Sequence, residues 1–398
     1  MTEGRKNDAT YAASFDCEIK VLVFSGFFLP GFKGGGPIKT IKNLCDQSDG
    51  IVKFNVVTSD RDLSDDSPYE SVIGGAWNQV GDYCVFYTQP GFSGLLQMAL
   101  ELCRRKYNII YLNSFFSLRF SFFPGLLARV FRQKIVLAPR GEFSGGALAI
   151  KPLRKRIFVA VFNLFRLNRH MTFQASSDFE AEDIRRILGR GSDIRIAENI
   201  GAREFADLPE ANTCASLRVV FVSRISPKKN LFFALEILKE AQQSLIFHIY
   251  GPIEDQQYWA QCQKKIKELP EHVQVNYLGP LSPKEVVNTI AGYDVFFMPT
   301  KGENYGHVIA EALCAGLPLL IADTTPWRDL HKKGLGWDLP LANPEAFASV
   351  LDELAVMPPE EHLKMRRSVL AWAKQKFSQQ DAIEANIAMF RYAYEKKH

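Results

Sequence analysis

The chain has 398 residues, of which 47% are hydrophobic and 23% charged, with a formal net charge of +4. Its length favours two or three domains with ample core, and its composition is that of a globular protein. No apolar run approaches the ~18–20 residues of a membrane-spanning helix. Seven cysteines without close pairs argue against a disulfide framework or a zinc site and favour a reducing cytoplasm.

Residues 1–17 are polar and lack the apolar core of a signal peptide, so we expect a disordered or loosely docked tail. After this tail, short apolar strands alternate with helical patterns. The first strand, 19–25, is followed by a glycine loop that contains Gly34, Gly35 and Gly36, and then by a helix from 38 to 46. Further strands are predicted at 53–57, 83–87, 108–113, 134–138, 171–174 and 194–197, and helices at 94–105, 121–131, 152–167 and 178–188. This alternation predicts a Rossmann-like domain at 18–200.

A polar stretch at 201–216 predicts a linker, after which the alternation restarts. Strands are predicted at 217–223, 245–250, 273–277, 295–299 and 319–322, and helices at 230–240, 256–269, 283–291, 344–356, 359–376 and 380–394. These elements predict a second Rossmann-like domain at 217–378, and a last helix within 379–398 that packs back toward the first domain. The fold class is therefore α/β, with two Rossmann-like domains whose parallel sheets face each other across a cleft.

Two carboxylates and a histidine surround the turn that follows the strand at 295–299. Glu303 precedes His307 and Glu311 in this stretch, and Gly306 marks the predicted helix start. Ligands of parallel α/β sheets bind at this carboxyl edge. Because Glu303 lies in the loop and Glu311 lies one turn into the helix, the two carboxylates can hold different parts of one ligand.

Two further turns of the second half carry candidate ligand groups. Arg224 and Lys229 follow the strand at 217–223, where a guanidinium fork and an ammonium can meet a diphosphate. A solvated helix start is the alternative. Gly251 ends the next strand and lets a ligand pass close to the sheet, although packing alone would also account for it.

The glycine loop of the first half follows a strand and precedes a helix, so its backbone N–H groups can approach a phosphate or a sugar. Lys39 stands where the dinucleotide fingerprint G-x-G-x-x-G requires glycine, which disfavours a dinucleotide site. A flexible surface turn remains the alternative to a ligand loop.

Together these residues resemble retaining glycosyltransferase family 4, whose members have the two-domain GT-B fold. The resemblance spans residues 19–395. The matching motifs, in chain order, are Gly34-Gly35-Gly36-Pro37, Pro139-Arg140-Gly141, Ser223-Arg224 with Lys228-Lys229-Asn230, Tyr250-Gly251, Leu278-Gly279 with Leu281-Ser282, the E-x7-E pair Glu303 and Glu311, and Ala315-Gly316-Leu317-Pro318.

The resemblance implies a role for each site residue. Glu311 would accept hydrogen bonds from the ribose hydroxyls of a nucleotide sugar, and Glu303 would contact the hydroxyls of the sugar. Arg224 and Lys229 would neutralise the leaving diphosphate. Sugar or phosphate oxygens would be held by the amides of Asn304, Tyr305, Gly306 and His307. The loop with Trp327 borders the nucleotide in the branch that this chain resembles, and core packing is the alternative.

One pattern points to a metal ion instead. Asp60-Arg61-Asp62 has the D-x-D spacing with which some glycosyltransferases hold a divalent cation. It lies in the half without the donor motifs, and Asp65 and Asp66 follow it, so we interpret it as a solvated acidic loop. We therefore expect no metal and no cofactor, with a UDP- or GDP-linked sugar as the co-substrate.

The catalytic base is not evident from the sequence. The first 169 residues contain no histidine, although many family members place one near the reacting carbon. Glu142, Asn113 and Asp60 are candidates for positions near the cleft, and the leaving phosphate of a retaining enzyme can itself take the acceptor's proton. We expect His307 to contact the sugar or pack in its loop rather than act as a base.

Charge is unevenly distributed. Fourteen Lys or Arg residues and one acid, Glu142, lie within 102–177. With the Phe-rich segment Phe115–Phe123, this basic region fits an anionic membrane surface; solvated cations over an aromatic core are the alternative. Nucleic acid is disfavoured because no recognised binding module accompanies the charge. The protein is then expected to be cytoplasmic, with peripheral association to the inner membrane face as a hypothesis.

These observations predict a retaining, metal-independent hexosyltransferase. It would move a sugar from a nucleotide diphosphate to a glycan or lipid-linked acceptor in the assembly of a cell-surface polysaccharide or glycoconjugate. One alternative is a GT-B nucleotide-sugar epimerase, which needs acid/base residues in both halves. The other is a non-catalytic sugar-nucleotide-binding protein.

Overall fold

The computed structural model describes residues 18–48, 50–63, 65–104, 106–149, 151–201, 204–208, 216–378 and 380–396. The predicted tail at 1–17 lies outside this range, as do 202–203 and 209–215 of the predicted linker. No helix of the described residues is long and apolar enough to span a bilayer.

The N-terminal half forms a sheet of eight strands. These are β1 Ile19–Ser25, β2 Val52–Ser59, β3 Trp77–Val80, β4 Tyr83–Thr88, β5 Ile109–Asn113, β6 Lys134–Ala138, β7 Met171–Ala175 and β8 Asp193–Ile196. Their order is β3-β4-β2-β1-β5-β6-β7-β8, and only the β3–β4 pair is antiparallel. Strand β3 is absent from the predicted strands. It has only four residues, none of them fully buried, so its sequence shows no apolar run or alternation long enough to indicate a strand.

The helices of this half are α1 Gly36–Gln47, α2 Phe92–Cys103, α3 Phe123–Val130, α4 Gly145–Ala149, α5 Pro152–Leu164 and α6 Asp178–Leu188. A π-helical turn, Leu118–Phe122, leads into α3, and a 3-10 turn, Leu167–His170, follows α5. Helix α5 ends before the predicted residue 167, because Arg166 adopts a left-handed conformation with φ of 51°.

Side chains of the N-terminal sheet alternate between its two faces, and each face builds a core of its own. Val21 and Val23 of β1 pack with α1, whereas Leu22 and Phe24 pack with α2, α3, α5 and α6. The strands therefore read as continuous apolar runs, as expected for a sheet covered on both faces.

The C-terminal half forms a parallel sheet of six strands, ordered β11-β10-β9-β12-β13-β14. These are β9 Leu217–Val222, β10 Leu245–Tyr250, β11 Val273–Gly279, β12 Val295–Met298, β13 Leu319–Ala322 and β14 Gly336–Leu339. Its helices are α7 Leu231–Glu240, α8 Gln256–Ile266, α9 Val286–Ile290, α10 His307–Cys314, α11 Pro344–Val356 and α12 Pro359–Ser378. The predicted fold class, α/β with two parallel-sheet domains, is confirmed.

The last helix, α13 Asp381–Glu395, packs on the N-terminal sheet beside α1. Phe390 is fully buried there, and its ring centroid lies 5.5 Å from that of Phe54 and 5.2 Å from that of Tyr111. The Asn386 amide donates to the carbonyl of Glu198 at 2.8 Å. The chain thus returns to its first domain after building the second.

Replacing Phe390 with alanine should destabilise the N-terminal domain by about 3–5 kcal/mol, since it leaves a cavity between α13 and the sheet. Hydrogen exchange followed by mass spectrometry should show faster exchange in β1 and β2. Glu384→Ala, at an exposed position of the same helix, is the matched control and should leave exchange unchanged. Equal protection in the two variants would contradict this packing.

Candidate functional site

A cleft of about 380 Å³ opens between the two domains, where the carboxyl ends of both sheets meet. The loops after β1, β6, β9, β10 and β12 contribute to its walls. It is lined by every residue that the sequence predicted for the site, namely Gly34, Gly35, Gly36, Arg224, Lys229, Gly251, Glu303, Asn304, Tyr305, Gly306, His307 and Glu311. The structure therefore brings the two sets of predicted residues together in one interdomain cleft.

The turn from β12 to α10 places the two carboxylates. Gly306 has a φ of 77° and caps the helix that begins at His307. A Cβ at Gly306 would lie 2.8 Å from the side chain of Ile309, so glycine is required both for the left-handed backbone and for space. Glu303 consequently lies in the loop and Glu311 in the helix, and both line the cleft.

Glu303 is paired with a cation of the same domain. The ammonium of Lys229 donates to Oε1 of Glu303, and their side chains are only 13% and 11% exposed. Thr300 donates to the same oxygen at 3.3 Å. Beside this pair, burial lowers the pKa of Lys228, whereas the Glu303 carboxylate opposes that shift. Two lysines and one carboxylate thus share this wall of the cleft.

Arg224 lies at the rim of the cleft. Its guanidinium donates to Oε1 of Glu254 at 3.0 Å, and both side chains are more than a third exposed. An ion pair this exposed contributes about 0–1 kcal/mol, so Arg224 can leave Glu254 for a stronger anion.

Glu311 forms an ion pair across the cleft. The ammonium of Lys39, in the first turn of α1, donates a hydrogen bond to Oε1 of Glu311. The other carboxylate oxygen, Oε2, is buried and has no hydrogen-bond partner among the described residues. Burial raises the pKa of Glu311 and the Lys39 charge opposes that rise. A buried, unsatisfied oxygen in a cleft is a place where a ligand hydroxyl gains a hydrogen bond.

His307 also joins the two domains. Its Nε2 lies 2.7 Å from Oγ1 of Thr40. The Thr40 hydroxyl donates to the carbonyl of Gly36 at 3.1 Å, so in this arrangement the imidazole N–H donates to the hydroxyl oxygen. Burial, together with the charges of Lys39 and Arg140, lowers the pKa of His307 to about 3. The imidazole is therefore neutral at physiological pH and a very weak base.

Asn304 makes a third connection to the N-terminal domain. Its Oδ1 accepts a hydrogen bond from Ser176 at 3.2 Å. Gly141 has a φ of 74°, and a Cβ there would lie 2.7 Å from Cβ of Asn304. The loop from Glu303 to His307 is thus docked on the opposite domain, and the cleft is closed around it.

Trp327 supports this loop from behind and does not line the cleft. Its indole Nε1 donates to the carbonyl of Tyr305 at 2.5 Å, and the two rings lie 5.7 Å apart between centroids. Of the two interpretations of Trp327, packing against the loop is the one that the geometry supports.

Arg140 also lines the cleft, although the sequence predicts no role for it beyond its place in the motif Pro139-Arg140-Gly141. Its guanidinium donates to Oδ1 of Asn113 at 2.7 Å and to the hydroxyl of Tyr111 at 2.5 Å. It also donates to Oδ1 of Asn199, which lines the cleft as well. Neutral partners thus fix a cation on the N-terminal wall. Lys39 and Asn199 were missed as site residues because their roles exist only between elements distant in sequence.

The candidate bases of the N-terminal half do not line the cleft. The Glu142 carboxylate accepts hydrogen bonds from Ser114 at 2.7 Å and from the amide of Phe116 at 2.9 Å. Asn113 is engaged by Arg140, and Asp60 lies outside the cleft. Each of these three side chains has a structural partner.

Gly251 is required by the fold itself. Its φ is 138°, and a Cβ would lie 1.9 Å from the carbonyl oxygen of Ser223. The close approach is between β9 and β10, so the packing interpretation is sufficient. In the glycine loop, Gly35 has a φ of 67° at the N-terminus of α1, while a Cβ at Gly34 would lie 3.0 Å from Cβ of Phe27.

The interpretation of the D-x-D pattern as a solvated loop is wrong. Asp60 and Asp62 are each 4% exposed. Oδ2 of Asp62 accepts from the amides of Phe32 at 2.7 Å and Lys33 at 3.0 Å, and Asp60 pairs with Arg61. Asp62 thereby anchors the glycine loop. Among the described residues, no group of three His, Cys, Asp or Glu side chains is placed to hold a metal ion.

Residues 215–369 match the family model described as glycosyl transferases group 1. The match covers most of the second domain and less than half of the chain. No curated protein matched the sequence significantly.

Solved structures match nearly the whole chain. HepE (Alr3699) of Anabaena, solved with UDP and glucose, gives a TM-score of 0.69 at 17% identity, over 94% of this chain and 98% of that one. Sucrose-phosphate synthase (tll1590) of Thermosynechococcus elongatus gives a TM-score of 0.72 at 15% identity, with the same coverage of both chains. WaaG, a glycosyltransferase involved in lipopolysaccharide biosynthesis, gives a TM-score of 0.66 at 13% identity, over 93% of this chain and 98% of that one.

At these identities the structural similarity establishes the fold, and the family match concerns the second domain. Both agree with the predicted resemblance, which is confirmed at the level of GT-B glycosyltransferases. The chain has the GT-B fold, and residues 215–369 of its C-terminal domain are similar to glycosyl transferases group 1.

Proposed function

We propose that this protein is a retaining, metal-independent family 4 hexosyltransferase with a UDP- or GDP-linked donor. The observation that carries the proposal is the unpaired Oε2 of Glu311, buried in a cleft that Arg224 and Lys229 also line. Solved relatives add support, since HepE was solved with UDP-glucose and a trehalose-6-phosphate protein of E. coli with UDP-2-fluoro glucose.

Glu311 is the proposed ribose ligand. A ribose hydroxyl that donates to Oε2 satisfies the oxygen that has no partner among the described residues, while Lys39 keeps Oε1. The ion pair with Lys39 favours the carboxylate form, against the burial that raises the pKa of Glu311 overall. A hydrogen bond to an ionised group is stronger than one between neutral groups.

Arg224 and Lys229 are the proposed cations for the diphosphate. Departure of a nucleoside diphosphate builds negative charge, and preorganised cations stabilise it without a metal ion. Arg224 is held only by an exposed pair with Glu254. Lys229 already contacts Glu303, whose remaining lone pairs can accept from hydroxyls of the donor sugar.

Neither the carboxylates nor the imidazole of the described cleft is suited to be a general base. Its carboxylates are Glu303 and Glu311, which we assign to the donor, and the imidazole of His307 has its pKa lowered to about 3. We therefore assign the acceptor's proton to an oxygen of the departing phosphate, as in a retaining front-face transfer. The N-terminal wall, with Arg140 and Asn199, is left for the acceptor.

Three interdomain contacts join the two walls of the cleft, and we expect its closure around the donor to exclude water. They are the pairs Lys39–Glu311, Thr40–His307 and Ser176–Asn304. We propose a glycan or lipid-linked acceptor in cell-surface polysaccharide or glycoconjugate assembly. The uneven charge of the N-terminal half supports this acceptor class.

The epimerase alternative needs acid/base groups from both halves. The titratable groups that line the cleft from the N-terminal half are Lys33, Lys39 and Arg140, with no carboxylate or imidazole among them. Lys33 and Lys39 are held in ion pairs with Asp65 and Glu311. Incubation with the donor alone would separate the two functions, because an epimerase converts the nucleotide sugar without an acceptor.

Glu311→Ala should weaken nucleotide binding by about 1–3 kcal/mol, or roughly 5–150-fold in Kd, since it removes a charge-assisted hydrogen bond. A thermal-shift screen first identifies UDP or GDP as the better ligand, and isothermal titration calorimetry then measures both variants. Glu353→Ala, at an exposed position of α11, is the control. Unchanged affinity for Glu311→Ala would mean that the ribose site is misassigned.

Turnover of the donor identified in this way should be unaffected by EDTA, because Arg224 and Lys229 provide the charge that a metal would supply. Release of the nucleoside diphosphate measures the rate, and proton NMR of the glycoside gives the anomeric configuration, which should match the donor. A rate that EDTA abolishes and Mg²⁺ or Mn²⁺ restores would contradict metal independence. An inverted anomer would contradict retention.

The closed cleft should lose stability as the pH falls. Because the pKa of His307 is lowered from 6.5 to about 3, the stabilisation is complete above pH 6.5 and is lost as the pH drops toward 3. Between pH 7 and 5 the wild type should lose up to about 2 kcal/mol more than His307→Gln in denaturant unfolding. His331→Gln, at an exposed position, should behave as the wild type. Equal losses for the wild type and His307→Gln would show that His307 is not held neutral.

A further inference from the structure

Helix α5 exposes an apolar stripe to solvent. Leu153, Ile157, Val161 and Leu164 are 69%, 55%, 37% and 77% exposed, and their spacing of four, four and three residues puts them on one face of the helix. The opposite side holds Phe162, which is fully buried in the N-terminal core. The helix is therefore apolar on two opposite sides, although its packing against the N-terminal core requires only one apolar side.

Arginines border this α5 stripe on both sides. At ~100° per residue, Arg154 and Arg156 lie on opposite flanks of the stripe, and both are exposed. The helix contains no Asp or Glu. The one acid within 102–177, Glu142, is engaged by Ser114 and by backbone amides. The exposed surface of α5 is thus apolar along its length and cationic on both sides of its N-terminal end.

The Phe-rich segment does not belong to this surface. Phe115 is 0% exposed and Phe120 is 6% exposed, and both belong to the core under the helices. These two rings are therefore not available to a membrane, whereas Phe116, Phe122 and Phe123 are half-buried against the same core. The exposed apolar side chains of this region are mainly the aliphatic residues of α5.

One lysine of α5, on the side away from the stripe, interacts with a charge of the cleft. Lys155, in the first turn of α5, donates to the carbonyl of Ala147 at 2.6 Å. Its charge reaches Lys228 in the opposite wall of the cleft and contributes to the lowered pKa of that lysine.

We propose that the α5 stripe is a docking surface for an anionic lipid bilayer. The aliphatic side chains enter the boundary between headgroups and acyl chains, and Arg154 and Arg156 remain at the headgroups. The helix carries cations and no acid, so its charge complements an anionic bilayer rather than the same cationic surface on a second copy. The link from this surface to a lipid-linked acceptor rests on the proposed function, whereas bilayer binding does not.

The test is flotation of the full-length protein with vesicles of phosphatidylcholine alone or mixed with phosphatidylglycerol. The wild type should float only with the mixed vesicles, and less at high salt. Ile157→Glu should abolish flotation, whereas Ile73→Glu, which makes the same change at a residue 70% exposed outside the helix layer, should not. Arg156→Gln should lower partitioning roughly fivefold, from ~1 kcal/mol per basic residue, and Arg367→Gln, at an exposed position of the C-terminal domain, should leave it unchanged.

Calorimetry with UDP or GDP on the same variants separates this proposal from the proposed function. Ile157→Glu should bind the nucleotide like the wild type, because it lies outside the cleft. Flotation that is equal for Ile157→Glu and Ile73→Glu, or independent of phosphatidylglycerol, would overturn the docking surface. A second result would also overturn it: sedimentation velocity shows a dimer, Ile157→Glu dissociates that dimer, and no variant binds vesicles. The stripe would then be a contact between two copies of the chain.

Discussion

The ion pair between Lys39 and Glu311 is the contact on which the rest of the site depends. It joins the first turn of a helix in one domain to a helix of the other, and it does so at a carboxylate that is 7% exposed. Without Lys39, burial alone would favour the protonated form of Glu311. The pair leaves Oε2 without a protein partner among the described residues, so the contact that joins the domains also presents an unpaired oxygen to the cleft.

The other contacts of the cleft follow the same physical logic. Lys229 compensates the largely buried Glu303, and a neutral His307 bridges to Thr40 where a second cation would be repelled by Lys39 and Arg140. Each buried charge thus has an opposite charge or a set of neutral dipoles at contact distance. In the proposed donor complex, a nucleotide diphosphate would add anions next to Arg224, Lys228 and Lys229, and hydroxyls next to the two carboxylates. The electrostatics of the cleft are therefore complementary to a nucleotide sugar at both ends.

Local pattern sufficed to predict most of the fold from the sequence. Strands such as β6 and β13 were predicted at their observed bounds, because a strand buried on both faces is an uninterrupted apolar run between polar turns. Strands β3 and β14 escaped prediction since they are short edge strands with mostly half-buried residues. The donor-side residues were found because each follows a strand, and the topology puts the carboxyl ends of neighbouring strands at one edge.

What the sequence did not reveal depends on contacts between distant segments. In the sequence, Lys39 is only a departure from the glycine motif G-x-G-x-x-G. Its ion pair becomes evident only when the fold places α10 opposite it. Asp62 looked solvated because the amides it accepts from belong to a loop about thirty residues earlier. Phe115 looked available to a membrane, whereas four helices of the N-terminal domain enclose its core. A single sequence shows the composition of such segments, but burial is decided by what packs against them.

The interdomain cleft is tested most directly by a crystal structure of the protein with UDP or GDP, whichever binds. The ribose hydroxyls should lie about 2.7–3.0 Å from Oε2 of Glu311, with the diphosphate between Arg224 and Lys229. Lys39 should remain on Oε1 of the same carboxylate. A nucleotide bound outside the cleft, or one whose ribose leaves Oε2 of Glu311 unpaired, would contradict the assignment of this cleft as the donor site.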